Sequence, residues 1–207
     1  MRTLALVICL LAVARVAKAQ SCMGTPMPIG SIAVIGGASM AEGVRTLSAG
    51  LAGYHFNRLG WAVRGGLLSF DDASRRGMEG RAHMGITVTP PGRISACPHF
   101  GVTYSWQDKN GDGRDASQFA DADFMFGVGY LGQTGSGRTY TVFGVPRVSY
   151  GWRSVPGIVV EDMGLYVGGT IGAGVNVGRL IVTGYGSFST DERTSTVVGA
   201  HVGVVVN

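Results

Sequence analysis

Hydrophobic and polar positions alternate along this chain with a period of two. In 99–107, Phe100, Val102, Tyr104 and Trp106 share one face, and His99, Gly101, Thr103, Ser105 and Gln107 share the other. In 82–90, Ala82, Met84, Ile86 and Val88 oppose His83, Gly85, Thr87 and Thr89. In 123–131, Phe124, Phe126, Val128 and Tyr130 oppose Asp123, Gly127 and Gly129. Near the end, Thr196, Val198, Ala200, Val202, Val204 and Val206 oppose Gly199, His201 and Gly203. Period two over about ten residues predicts β-strands with one apolar face. The other face carries glycine, serine, threonine and histidine. A water-facing sheet would carry lysine and glutamate there, so a narrow lumen is the better fit.

Ten strands are predicted, at 30–40, 46–56, 61–70, 82–90, 98–107, 123–132, 139–152, 163–175, 179–188 and 195–206. Eight remain possible, because 31–40 is rich in glycine and weakly patterned. Connectors at 57–60, 133–138 and 176–178 are short, whereas 71–81, 108–122 and 153–162 are longer and more polar. That alternation suits a transmembrane up-and-down barrel with short periplasmic turns and longer outer loops. After residue 20, no run of 18 apolar residues exists to make a membrane helix.

The first 19 residues read as a signal peptide. Arg2 is basic, 4–14 are apolar, and Ala17-Lys18-Ala19 is a small-x-small cleavage site. The remaining organisation is a periplasmic tail over 20–29 and a barrel over 30–207. The chain has 17 basic and 13 acidic residues. Losing Arg2, Arg15 and Lys18 leaves 17 − 3 = 14 bases against 13 acids, a mature charge of +1. No basic stripe or known motif points to nucleic acid. Cys9 leaves with the signal. The two cysteines that stay, Cys22 and Cys97, are an even count in an oxidising compartment, which favours a disulfide. A lipid anchor on Cys22 is the competing reading, with Ala19-Gln20-Ser21 a poor lipobox.

The signal and alternating strands such as Phe100-Gly101-Val102-Thr103-Tyr104-Ser105-Trp106 resemble the outer-membrane protein β-barrel domain family, the small porin-like barrels of the Gram-negative envelope. The resemblance covers 24–207. It implies a bacterial outer-membrane location, with outer-membrane lipid and the barrel-assembly machinery as partners. Such barrels usually end in an aromatic residue, and this chain ends Gly203-Val204-Val205-Val206-Asn207.

Candidate chemistry is sparse. Asp108, Asn110 and Asp112, followed by Gly113, match the opening of a calcium loop, but Phe119 stands where the bidentate glutamate belongs. Asp115 could substitute, although a polar turn explains the same residues. Gly127-Val128-Gly129-Tyr130-Leu131-Gly132 matches a dinucleotide pattern only in spelling, since its glycines alternate within a strand. Arg64 and Arg147 fall mid-strand. Facing lipid there would cost about 2–4 kcal/mol, so both are expected in the lumen with His83, His99 and His201. A lumen with arginines and few acids would favour anions. His83 is placed near the outer rim, beside Asp71 and Asp72, where an Asp–His pair could activate water. No complete catalytic set is identifiable, and neither an enzyme nor a cofactor is expected. Trp61, Trp106, Trp152, Tyr54, Tyr104, Tyr140 and Tyr150 are candidates for interfacial girdles. The functional expectation is a porin-like, structural or surface barrel. The alternatives are a secreted soluble barrel that binds an apolar ligand, and a barrel hydrolase.

Overall fold

The structure is a computed structural model that describes residues 19–20, 27–28, 30–55, 58–71, 76–90, 92–108, 117–135, 138–155, 158–190 and 196–206. The signal peptide proper, Cys22, Asp72, Asn110, Asp112 and Asp115 lie outside them.

A two-residue ladder, β1 (Ala19–Gln20) with β2 (Met27–Pro28), precedes a closed antiparallel barrel. Its ten strands are β3 (Ser31–Ala41), β4 (Val44–His55), β5 (Leu59–Phe70), β6 (Arg76–Ile86), β7 (Ile94–Gln107), β8 (Ser117–Gln133), β9 (Thr139–Val155), β10 (Ile158–Val177), β11 (Leu180–Ser189) and β12 (Thr196–Val205). Each pairs with its neighbour in sequence, and β12 returns to pair with β3. The glycine-rich β3 is therefore bonded along both edges, from Ala33↔Val205 to Ala41↔Val197 and from Ser31↔Tyr54 to Ala41↔Val44. Ten strands close the barrel, and the eight-strand option is dropped. Two hairpins are tight because Gly43 (φ 71°) and Gly178 (φ 64°) take the left-handed conformation such turns require.

Three strands begin earlier than the pattern suggested: β6 at Arg76 rather than 82, β8 at Ser117 rather than 123, and β10 at Ile158 rather than 163. Charge is the reason. Arg76, Glu79 and Arg81, or Asp121, read as loop residues. Yet alternation continues through them, with Met78 outward and Gly77 and Glu79 inward. The connectors shrink accordingly to 71–75, 108–116 and 156–157.

Alternation gives the barrel two distinct surfaces. The outer wall carries Val63, Leu67, Phe100, Phe124, Leu165, Ile171 and Val198, each at least half exposed. Among the described residues outside 154–163, the charged side chains on this wall are Arg45 and Arg76, both registered with Ser69 at the loop end. Trp61 and Tyr140 sit on the outside near the end that holds the termini. Tyr104, Trp106, Tyr150 and Trp152 sit on the outside towards the loops. Tyr54 corrects the girdle assignment. It lies on the inward face, 4% exposed, and its hydroxyl is 3.2 Å from Thr87 Oγ1.

Tyr54 belongs to a floor. Met27, Ala33, Ile35, Ala52, Tyr54, Ala62, Ile181 and Val205 form one buried apolar cluster inside the terminal end. Met27 comes from the tail and enters from below. Ser31 Oγ donates to Pro28 O at 2.6 Å, and Gly30 N donates to Tyr54 O at 2.7 Å, which holds the tail against the rim. Replacing Tyr54 by Ala would leave a cavity in this layer and cost about 3–4 kcal/mol, whereas Phe would cost only about 1 kcal/mol through its lost hydroxyl contact. Urea titration of the folded chain measures both.

Candidate functional site

Above the floor the inward positions turn polar. Arg64 of β5 is the direct cross-strand partner of Arg81 of β6. Arg81 pairs with Thr103, Thr103 with Asp121, and Asp121 with Gly151, so one rung of the ladder carries this series around half the wall. One rung nearer the floor, Gly101 lies between His83 and Asp123, and Asp123 pairs with Ser149.

Short polar contacts organise these side chains. Arg64 Nη1 lies 2.8 Å from Nε2 and 3.2 Å from Nδ1 of His201, so it donates to whichever nitrogen holds the lone pair. His201 stacks on Tyr185 with centroids 4.8 Å apart and planes at 27°. Two glycines make room for this stack. A Cβ at Gly37 would collide with the His201 ring, and one at Gly199 would collide with Tyr185. Ser149 Oγ donates to Asp123 Oδ1, and Arg147 Nε approaches the same oxygen at 3.9 Å. Arg81 Nη2 sits 3.5 Å from Glu79 Oε1. The Arg81 side chain is inward yet 45% accessible. A packed core would bury it, so it faces open space within the barrel. Floor and belt together form a cup with buried apolar groups at its terminal end.

Arg64, Arg147, His83, His99 and His201 all point inward. Arg64 and His201 meet directly, while Arg147 stands with Asp123. His99 is 4% exposed, packs where Gly85 leaves space, and has no partner for Nε2. The rim position given to His83 is wrong. β6 rises from His83 to Arg76 before reaching the loop, and His83 is level with Ala62. From Ala62 to Asp71 is nine residues of strand, about 30 Å at 3.3 Å each, so His83 and Asp71 are not neighbours. Asp71 instead lies 3.8 Å from Arg45, both exposed. The lumen also holds more acid than foreseen, since Glu79 and Asp121 join Asp123. The continued alternation from Gly77 to Ala82 is the signal that would have found Glu79 and Arg81.

Asp108 stands at the loop end of β7, where its N–H donates to Arg76 O at 2.9 Å. The rest of the calcium-loop candidate lies outside the described residues. Among the described residues, no group of three or more His, Cys, Asp or Glu could hold a metal ion. Cys97 is fully buried at the terminal end, with Sγ 3.6 Å from Thr87 Oγ1.

No protein-family model matches the chain, and no curated protein matches it. Among solved structures it is similar to CdiB from Acinetobacter baumannii, at 10% identity and a TM-score of 0.40. The match covers 86% of this chain and 32% of that one, so the chain spans about a third of CdiB's length.

Replacing Asp123 by Ala should destabilise the barrel by about 2–3 kcal/mol, because it strands the mostly buried Arg147 and leaves Ser149 without its acceptor. The double change Asp123→Leu with Arg147→Met should cost less than either single change. Denaturation midpoints of Asp123→Ala, Asp123→Leu, Arg147→Met and the double variant read this out.

Proposed function

We propose that the chain is an outer-membrane barrel with a structural or surface role rather than a diffusion channel. The observation that carries this reading is the outer wall. Between the loop-end row of Arg45 and Arg76 and the terminal turns, no charged side chain of the described residues outside 154–163 faces out, and large apolar residues cover the surface. Exposed apolar patches beyond a few hundred Å² mark a partner or a membrane, and here the patch circles the barrel. Ten residues at about 3.3 Å rise and 45° tilt give a band of roughly 23 Å, matching the hydrocarbon layer such barrels cross. Closure supports the reading too, since it pairs every edge before contact with lipid. The apolar floor argues against conduction, because a water column would have to pass between Ile35, Tyr54, Ile181 and Met27. A soluble barrel for apolar ligands fits less well, because the open part of the lumen carries Arg81, Glu79 and Asp121. The reading is non-enzymatic.

Fractionation tests location. The mature chain should enter the outer-membrane fraction and, in detergent, run as a heat-modifiable band. Recovery as a detergent-free soluble protein would overturn the reading. Phe124→Arg, on the outer wall, should cost roughly 2–4 kcal/mol of insertion free energy and reduce the folded band. In planar bilayers the wild-type barrel should give no steady conductance.

We further propose that Cys97 bonds to Cys22, which would tie the tail beneath the floor. The closed loop of about 75 residues would contribute roughly 4–5 kcal/mol in the chain-entropy model. Under denaturing conditions, maleimide should label no cysteine of the mature chain before reduction and two after it. Labelling before reduction would remove the bond.

A further inference from the structure

The inward charges are unevenly paired. Among the described residues the inward face carries Arg64, Arg81, Arg147 and Arg153 with Glu79, Asp121 and Asp123, and Asp162 is the cross-strand partner of Arg153. The acids have partners of their own. Glu79 is beside Arg81, and Asp123 takes the Ser149 hydroxyl with Arg147 nearby. Arg153 lies over the Phe119 ring, 5.4 Å from its centroid, nearer the loops. Arg64 has no described carboxylate within 4.0 Å. Its partner is His201, and an imidazole supplies no negative charge in either protonation state. The Arg64 Nε is out of solvent contact and makes no hydrogen bond.

The position of this guanidinium makes it more unusual. Arg64 and Arg81 are directly opposed across two hydrogen-bonded strands, an arrangement that is destabilising for like charges. Both point inward, Arg81 into open space, and the stack of His201 on Tyr185 holds Arg64 in place. Guanidinium forks on two neighbouring strands offer N–H donors of the kind that bind tetrahedral oxyanions.

We propose that Arg64 and Arg81 form a binding site for a phosphate-class oxyanion, which enters from the loop end and neutralises the opposed pair. Arg64 is the principal ligand, through the Nη hydrogens that His201 does not take. Arg81 contributes a second fork while keeping its contact with Glu79. Arg147 is excluded by its pairing with Asp123. The site needs the closed barrel but not the membrane reading, so it stands or falls separately from location.

The test uses the folded mature chain, with fold checked by near-ultraviolet circular dichroism, and inorganic phosphate as the probe in calorimetric titration. One saturable site per chain is expected. Arg64→Gln and Arg81→Gln should each weaken it at least tenfold, whereas Arg58→Gln, at an exposed turn, should leave it unchanged. Stability provides a second reading that a purely structural arginine would not give. Without phosphate, Arg64→Gln should unfold at an equal or higher urea midpoint than wild type, because an unneutralised charge has been removed. Phosphate should raise the wild-type midpoint and leave that of Arg64→Gln in place, as mass action on a native-state site requires. Absence of saturable binding to the folded wild-type chain overturns the proposal. So does undiminished binding in Arg64→Gln, or a variant that is less stable than wild type without phosphate and still gains stability from it.

Discussion

Closure of the hydrogen-bond ladder is the constraint on which everything else depends. A sheet with free edges leaves N–H and C=O groups unpaired. Here β12 bonds to β3 and no barrel strand lacks a neighbour on either side. Once the ring is shut, the pleat sends alternate residues in and out with no further choice. One surface can then be greasy and the other polar within the same ten-residue stretch. Val102 faces out between Gly101 and Thr103, which face in, although the three are adjacent in the chain.

The closed ring is too narrow to be lined uniformly. The terminal third is filled by small and apolar groups, and the tail completes it by lending Met27. The middle is filled by side chains that reach across the axis, and glycine decides which can do so. Gly37, Gly85 and Gly199 vacate the space that His201, His99 and Tyr185 occupy. A large share of the 35 glycines in this chain fall within strands, where glycine usually weakens a sheet. Inside this barrel several of them act as sockets for rings from neighbouring strands.

Much of this was legible before the fold was known. Period-two patterning placed the ten strands and put the three histidines indoors, and the cost of arginine in lipid did the same for Arg64 and Arg147. The early strand starts share one cause. Glu79, Arg81 and Asp121 read as loop residues because charge inside a strand looks costly, but a polar lumen removes that cost, while Arg76 faces out at the loop end. Tyr54 failed in the opposite direction. An aromatic residue near a strand end suits an interfacial girdle, and only its even parity with Ala52 shows that it points inward. The opposition of Arg64 to Arg81 could not be read at all, because it depends on the register between two strands, which hydrophobic pattern alone does not fix.

The floor has a consequence for the order of folding. Its members come from both ends of the chain, and the pairing that seals it joins Ala33 to Val205, 205 − 33 = 172 residues apart. Contacts of such sequence separation carry the largest loop-closure cost and form slowly. Until the last strand docks, Ile181 and Tyr54 lack Val205 beside them and the lower lumen stays wet. Expulsion of water from that layer is therefore a late event that rewards only complete closure, and a chain stalled one strand short gains none of it.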